Sequence, residues 1–259
     1  MKKKIIQVLG VVTAIACVAG FVVLILVRPP SFLRIAEVVV VSPLKHVSGF
    51  DLTRLSGVKK GDNIVTLSLA KVRQDLLRYP WIREVRLSRR IPARLLIWVE
   101  EQEPVALLEY ADSTSNTAST ASTDLYLVNA EGVAFKKAEP GDPKDLPILT
   151  GMEQEEISSR LPSLVALLKS IEDSDLVGLL GVSEIRWSGT GGASLFTKDP
   201  CIRLDLGGAT EGGTTDPVAG WETRLKGFSE AWKMIRATAK RPKVVDLSLE
   251  RKIIVKQRL

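Results

Sequence analysis

Residues that build catalytic and metal sites are scarce in this chain. Its 259 residues include one histidine, His46, and two cysteines, Cys17 and Cys201. Cys17 lies in an apolar run far from Cys201, so no disulfide framework is expected, and the ligand spacing of a zinc site is missing. A metal site or a catalytic triad based on histidine would depend on His46 alone. The composition therefore argues against a disulfide framework and a zinc site, and leaves little basis for a histidine-based site.

Acidic residues are missing from the first 31 positions, which carry four basic residues. The whole chain has a net charge of +6 and a pI of about 9.3, values that by themselves suggest a nucleic-acid partner. The charge is uneven, however, with +5 on residues 32–103 and −3 on residues 104–259. Because the basic character belongs to the N-terminal half, next to an apolar segment, nucleic acid is not the expected partner.

Charge of either sign is absent from Ile5–Val27, a run of 23 residues. As a helix this run is about 34 Å long, enough to cross a hydrocarbon core of about 30 Å. The alternative is a cleaved signal or lipoprotein leader, because Ala14–Ala16 resembles a cleavage site. Apolar residues continue past that site, which favours an uncleaved anchor. The charges of Lys2, Lys3 and Lys4 predict a cytoplasmic N-terminus and export of the rest of the chain.

Residues 33–103 show the pattern of a small β-α-α-β-β domain. Ile35–Val41 is short and β-branched, as in a buried strand. Asp51 and Ser68 are candidate N-caps of two short helices. Two strands with alternating apolar residues follow, at Trp81–Arg89 and at Arg94–Glu101. The apolar residues of the second strand, which predict its inner face, are Leu95, Ile97 and Val99.

The remaining residues, 104–259, predict a larger and strand-rich domain. Residues 111–123 are almost entirely small and polar, which is typical of a mobile loop. Two amphipathic helices are predicted, at Leu161–Ile171 and at Trp221–Ala239. The buried face of the second helix is predicted to be Leu225, Phe228, Trp232 and Ile235. Strands are predicted at Val105–Tyr110, Asp124–Asn129, Val182–Trp187, Ser194–Thr197 and Cys201–Leu206.

Residues 244–255 predict one more half-buried strand, interrupted by two basic residues. A strand at the end of a chain is expected at a sheet edge, where its free backbone groups can pair with a partner segment. The alternative is that this strand only completes the sheet. The predicted partner-binding residues of the C-terminal edge strand are Val245, Leu247, Leu249, Arg251, Lys252 and Ile254.

The order of these motifs resembles a known family. Gly61–Ile64, Tyr79–Ile82, Arg89–Pro92 and Val99–Glu101 follow a single apolar run. This series resembles the POTRA domain of the FtsQ/DivIB family of bacterial cell-division proteins. Downstream, Val245–Leu247 is similar to the C-terminal region through which that family holds its partners, although Leu249 stands where an aromatic residue is common.

The resemblance implies an α+β protein with four parts: residues 1–4 as a cytoplasmic tail, 5–27 as a transmembrane helix, 33–103 as a POTRA domain and 104–259 as an FtsQ-type β-domain. It implies a non-catalytic scaffold of the division septum in the inner membrane, with its bulk in the periplasm. The implied partners are FtsB/FtsL-type bitopic coiled-coil proteins and other divisome membrane proteins. No cofactor and no nucleic acid are implied.

Two other functions stay open from the sequence. A membrane-anchored cell-wall enzyme would need a nucleophile with a base, or paired carboxylates, and His46 has no serine or aspartate partner in a recognisable motif. A different POTRA-type assembly factor, as found in outer membranes, is the second alternative. The inner-membrane anchor predicted at residues 5–27 argues against it.

Overall fold

The computed structural model of this protein describes residues 10, 12–21, 23, 30–110, 124–173, 180–189, 192–208, 217–238, 242–249 and 252–257. The chain divides into two compact units, Met1–Gln102 and Glu103–Leu259. The mixed α+β class predicted from the sequence is confirmed by the elements of both units.

Part of the predicted anchor lies outside the described residues, and so do Lys2, Lys3 and Lys4. Within the predicted span, residues 12–21 are described and are helical. Among the residues that the structure describes, no helix is long and apolar enough to cross a membrane.

The first unit contains a three-stranded sheet in the order β1-β3-β2. Strand β1 is parallel to β3, and β2 is antiparallel to β3. Two helices, α1 and α2, separate β1 from β2, which confirms the predicted β-α-α-β-β order. The bounds are β1 Glu37–Val40, α1 Gly49–Leu55, α2 Leu69–Leu77, β2 Ile82–Arg90 and β3 Arg94–Glu101.

Side-chain caps explain where both helices begin. The Ser68 hydroxyl accepts a hydrogen bond from the N–H of Lys71 at 3.3 Å, as predicted for α2. The prediction that Asp51 caps α1 is wrong, because the Ser48 hydroxyl accepts from the N–H of Asp51 at 3.0 Å. Asp51 instead lies in the first turn, where a negative charge is favourable at the positive end of the helix dipole.

The inner face of the small sheet follows the alternation predicted for β3. In β2, Ile82 and Val85 are both buried although they are three residues apart. The pairing register shifts between Ile82 and Glu84, and this irregularity returns Val85 to the inner face. Leu87 is only half-buried. The predicted inner residues of β3 are buried as well: Leu95, Ile97 and Val99.

The second unit contains a nine-stranded sheet in the order β12-β11-β10-β9-β8-β7-β4-β5-β6. The pairs β4–β7, β7–β8 and β10–β11 are parallel, and the other neighbours are antiparallel. The strands are β4 Pro104–Tyr110, β5 Asp124–Asn129, β6 Ala134–Lys137, β7 Ile148–Thr150, β8 Val182–Ser188, β9 Gly192–Thr197, β10 Arg203–Gly208, β11 Pro242–Asp246 and β12 Ile254–Gln257.

Two long helices connect parallel neighbours of this sheet and pack against each other. Helix α3, Gln154–Glu172, runs between β7 and β8, and helix α4, Pro217–Thr238, runs between β10 and β11. Connections of this kind place a helix on a face of the sheet. Helix α3 begins before the predicted Leu161 and includes Pro162. Its added first turn carries Glu155 and Glu156, whose charges stabilise a helix N-terminus.

The core of the second unit lies between these helices and the sheet. The Trp221 ring of α4 meets the Trp187 ring of β8 edge to face, with 6.4 Å between centroids. The rings of Phe228 and Trp232 are also in contact, with 5.3 Å between their centroids. The predicted inner face of α4 is confirmed, because all four of its predicted residues are buried: Leu225, Phe228, Trp232 and Ile235.

We expect Phe228→Ala to lower the free energy of unfolding of the second unit by about 3–5 kcal/mol, because the Phe228 side chain is fully buried. Urea unfolding followed by tryptophan fluorescence measures this, since Trp232 lies beside the ring. Met234→Ala on the same helix is the matched control: Met234 is 74% exposed, and its replacement should change stability by less than about 0.5 kcal/mol. Equal effects of the two variants would contradict the assignment of the core.

Candidate functional site

The C-terminal residues form two strands, whereas the sequence predicted a single interrupted strand over 244–255. Strand β11 pairs in parallel with β10 on one side and antiparallel with β12 on the other. The chain turns between them, where the N–H of Lys252 donates to the carbonyl of Leu249 at 3.3 Å. The single-strand prediction is wrong because the apolar alternation continues to Leu249, beyond the point where the ladder ends at Asp246.

Two of the predicted partner-binding residues are part of the core. Val245 is fully buried in β11, and Leu247 is 2% exposed just after it. Both belong to the cluster that packs between the sheet and its helices. Their role is to hold β11 in the sheet, so a partner can reach them only through the strand that they support.

The exposed residues of this region lie in the turn and in β12. Leu249 and Ile254 are 47% and 41% exposed, and Lys252 is exposed as well. Ile253, which was not predicted as a site residue, is also an exposed aliphatic side chain. Arg251 lies outside the described residues. Burial separates these exposed side chains from Val245 and Leu247, and the sequence alternation alone does not.

Strand β12 is one of the two ends of the nine-stranded sheet, and β6 is the other. On the side away from β11, no strand pairs with β12 among the described residues. The β6 end differs in chemistry, because its lysines are engaged in ion pairs. Lys137 lies 2.7 Å from Asp124 and Lys136 lies 2.5 Å from Asp142, measured between Nζ and a carboxylate oxygen. Exposed aliphatic side chains are instead grouped at β12.

The charges around β12 are mainly positive. Lys243, Lys252 and Lys256 are exposed. The nearby carboxylate of Asp246 is occupied, because the hydroxyl and the N–H of Ser248 donate to its Oδ1 at 2.6 and 3.0 Å. These hydrogen bonds, with a smaller contribution from the positive charge of Lys256, lower the pKa of Asp246. The edge therefore presents lysines beside aliphatic side chains.

The chain after β11 is fixed in place by β10. The N–H of Leu247 donates to the carbonyl of Asp205 at 2.8 Å. Gly207 has a φ of 68°, and a Cβ at this position would lie 2.6 Å from the Cβ of Ser248. The indole N–H of Trp221 donates to the carbonyl of Gly207 at 3.2 Å. This close approach ties the start of the C-terminal turn to both the sheet and α4.

The first unit has sheet edges of its own, at β1 and β2. Two arginines of β2 form ion pairs on its surface: Arg83 lies 3.3 Å from Glu100, and Arg86 lies 2.9 Å from Glu84. These pairs are exposed and so contribute little stability.

The residues considered for catalysis take ordinary structural positions. The His46 ring stacks on Trp81 with 3.9 Å between centroids and 12° between planes. Cys201 is an exposed free cysteine. Within the part of the chain that the structure describes, no group of three histidine, cysteine, aspartate or glutamate side chains could hold a metal ion.

Two family models match the chain. The model described as "POTRA domain, FtsQ-type" matches residues 33–102, and the model described as "Cell division protein FtsQ/DivIB, C-terminal" matches residues 118–248. Among curated proteins, the chain is similar to Cell division protein FtsQ of Geobacter sp. (strain M21). The two are 31% identical over 239 residues, which is 90% of this chain and 79% of that protein.

Two further relatives cover almost the whole chain. Cell division protein FtsQ of Geotalea daltonii is 26% identical over 268 residues, covering 98% of this chain and 88% of that protein. Cell division protein FtsQ of Syntrophotalea carbinolica is 25% identical over 255 residues, covering 96% of this chain and 81% of that protein. The similarity therefore extends across both units.

We expect Gly207→Ala to destabilise the C-terminal strands by about 1–3 kcal/mol, because the residue needs a positive φ and the added methyl group would meet Ser248. Hydrogen–deuterium exchange of the β11 and β12 amides should accelerate. Gly189→Ala is the matched control: it lies in the same unit, its φ is outside the left-handed region, and nothing lies within 4 Å of the added atom. Unchanged exchange in Gly207→Ala would show that this contact does not hold the edge.

Proposed function

Because the chain belongs to the FtsQ/DivIB family of cell-division proteins, we propose that it is a non-catalytic scaffold of the division septum. It works by docking other division proteins through sheet edges. The observation that supports this most directly is the β12 edge, where the end strand of the described sheet is flanked by exposed aliphatic side chains and lysines.

A partner docks by adding a strand to β12. Backbone hydrogen bonds to the free side of an edge strand supply affinity, and alternating side chains supply specificity. Ile254 and Lys256 are two residues apart and share one face of β12, while Val255 packs against the core on the other. A matching partner segment has an apolar side chain to place near Ile254 and an acidic one near Lys256. The partners are FtsB/FtsL-type bitopic coiled-coil proteins, together with other divisome membrane proteins.

The buried residues of the predicted site stabilise the strand to which β12 is paired. Val245 and Leu247 fasten β11 to the core, and β11 in turn holds β12 through an antiparallel ladder. Leu249 and Lys252 lie in the turn before β12 and extend the exposed surface. The predicted set therefore divides into supporting residues and contact residues.

The same proposal places the protein in the inner membrane at the septum. Ile5–Val27 is the single transmembrane helix, and Lys2, Lys3 and Lys4 keep the N-terminus in the cytoplasm. Residues 33–259 then lie in the periplasm. A scaffold needs only such docking surfaces and an anchor, which is why we propose no catalytic residue.

We expect Ile254→Glu to weaken partner binding by tenfold or more, about 1.4 kcal/mol, because it places a charge in the apolar part of the contact. The measurement is the yield of FtsB/FtsL-type partners that co-purify with the full-length protein from membranes. Removing residues 244–259 is a poorer test, since that deletion also removes Val245 and Leu247 from the core.

Val133→Glu is the matched control for this test. Val133 is 53% exposed and precedes β6 at the opposite end of the same sheet. The control variant should retain the partners at the yield of the unchanged protein. Co-purification at full yield with Ile254→Glu would reject docking at β12.

We expect a reporter enzyme that is active only in the periplasm to work when fused after Leu259. The reason is the bias of the lysines at positions 2–4, which precede the uncharged span. Fusions of a cytoplasmic reporter at the same position should be inactive. Activity from the cytoplasmic reporter alone would overturn the proposed topology.

A further inference from the structure

Three segments of the first unit meet at one end of its sheet: residues 30–37, 58–64 and 89–94. The N–H of Ala36 donates to the carbonyl of Ala93 at 2.8 Å. The N–H of Ile35 donates to the carbonyl of Asp62 at 2.8 Å, and the N–H of Gly61 donates back to the carbonyl of Ile35 at 2.9 Å. The segment nearest the predicted anchor thus holds two loops beside itself. We call these three segments together the proximal end.

The proximal end is strongly basic. It contains six basic and two acidic residues, a net charge of +4. One acidic residue, Glu37, is paired with Arg94 at 3.1 Å. Arg89 donates to the carbonyl of Leu67 at 2.6 Å, a bond that leaves its charge uncompensated. The basic residues, all exposed, are Arg34, Lys59, Lys60, Arg89, Arg90 and Arg94.

Exposed apolar side chains accompany this charge. Ile91, at the turn between β2 and β3, is 70% exposed and follows two arginines directly. Phe32 is 60% exposed, and Val65, which directly follows the second segment, is 44% exposed. Large aliphatic and aromatic side chains among lysines and arginines are the composition of protein surfaces that lie in the headgroup region of a membrane.

The opposite end of the same sheet has different chemistry. Strand β3 spans eight residues, about 23 Å, from Arg94 to Glu101. At that end the Glu101 carboxylate accepts hydrogen bonds from the N–H groups of Lys45, His46 and Val47, at 2.9 to 3.2 Å. Glu100 lies beside it. The unit is therefore polarised along β3, basic at one end and acidic at the other.

The closeness of the proximal end to the proposed anchor in the chain indicates that a membrane surface is what it contacts. Phe32 follows Val27, the last residue of the proposed anchor, by five positions, so the two lie within about 18 Å even if the chain is fully extended. We propose that the proximal end is a membrane-contact surface, in which the basic residues bind anionic lipid headgroups and Ile91 enters the interface. This inference rests on the proposed anchoring.

The contact would set the orientation of the first unit above the bilayer. Each lysine or arginine close to an anionic leaflet raises the population of the bound orientation by roughly fivefold, and added salt weakens the attraction. When the proximal end faces the bilayer, the acidic end of β3 points away from the negatively charged membrane surface. The edges of β1 and β2 then run away from the membrane and are accessible to partners.

The test uses the full chain with Cys17→Ser and Cys201→Ser, so that a spin label can be attached at Ile91→Cys. The protein is reconstituted in vesicles of phosphatidylcholine alone or of equal parts phosphatidylcholine and phosphatidylglycerol. Collisions of the label with oxygen, which partitions into lipid, and with an aqueous nickel complex report its depth. We expect the label to move into the lipid interface only in the anionic vesicles and to return to water at high salt.

Charge-removal variants make the test quantitative. Lys59→Gln/Lys60→Gln should lower the ratio of bound to unbound label by roughly 30-fold, about fivefold for each lysine. Lys45→Gln/Arg83→Gln is the matched control, because it removes the same charge beside Glu101 and Glu100 at the opposite end. The control variant should leave the ratio unchanged.

The label position has a control as well. A label at Phe50→Cys, on a residue that is 77% exposed and follows the segment bound by Glu101, should stay in water in both vesicles. Flotation of the protein with neutral vesicles tests the anchor separately, and failure to float would remove the proposed anchoring. If the protein floats and the label at position 91 stays in water in anionic vesicles, the proximal-end contact is overturned while the anchor stands.

Discussion

The packing of α4 against the sheet determines where the sheet ends. Trp221, Phe228 and Trp232 are buried along this helix, so it must lie flat on the strands before it. A helix that connects two parallel strands returns the chain beside the first strand, which places β11 next to β10. The remaining residues can then pair only on the outer side of β11. The position of β12 outside β11 is thus a consequence of the core.

A shared arrangement follows in both units. Each unit buries one face of a sheet under its helices, and the chemistry that remains for recognition lies where regular pairing stops. In the first unit this is the group of loops around Ile35, and in the second it is β12. Polar groups that converge in an enclosed cleft are the usual basis of catalysis. Edges and loop ends suit the scaffold function that we propose for this protein.

The features predicted most accurately from the sequence are those that depend on interactions between residues close together in the chain. The bounds of β3 follow from strict alternation, and the inner face of α4 follows from helical spacing. The prediction of a single C-terminal strand was wrong because Leu247 and Leu249 keep the apolar alternation of a strand although the backbone turns after β11. The backbone hydrogen bond from Leu247 to Asp205 shows where β11 ends beside β10, and the sequence does not. Likewise, Ser48 and Asp51 are both favourable N-cap residue types. Only the hydrogen bond from the N–H of Asp51 to the Ser48 hydroxyl shows that Ser48 is the N-cap of α1. Burial of Val245 depends on a helix far away in sequence, so local patterns could not assign it to the core.

The lysine of β12, Lys256, also affects how this strand can pair with a second copy of the protein. An unpaired strand with exposed aliphatic side chains is prone to pair with a second copy of itself. Self-pairing brings like charges close together when the strands carry lysine, as β12 does at Lys256, and this opposes association. An acidic partner segment gains from the same charge. One residue type can therefore exclude the wrong partner and favour the right one, because specificity is a difference between two binding free energies.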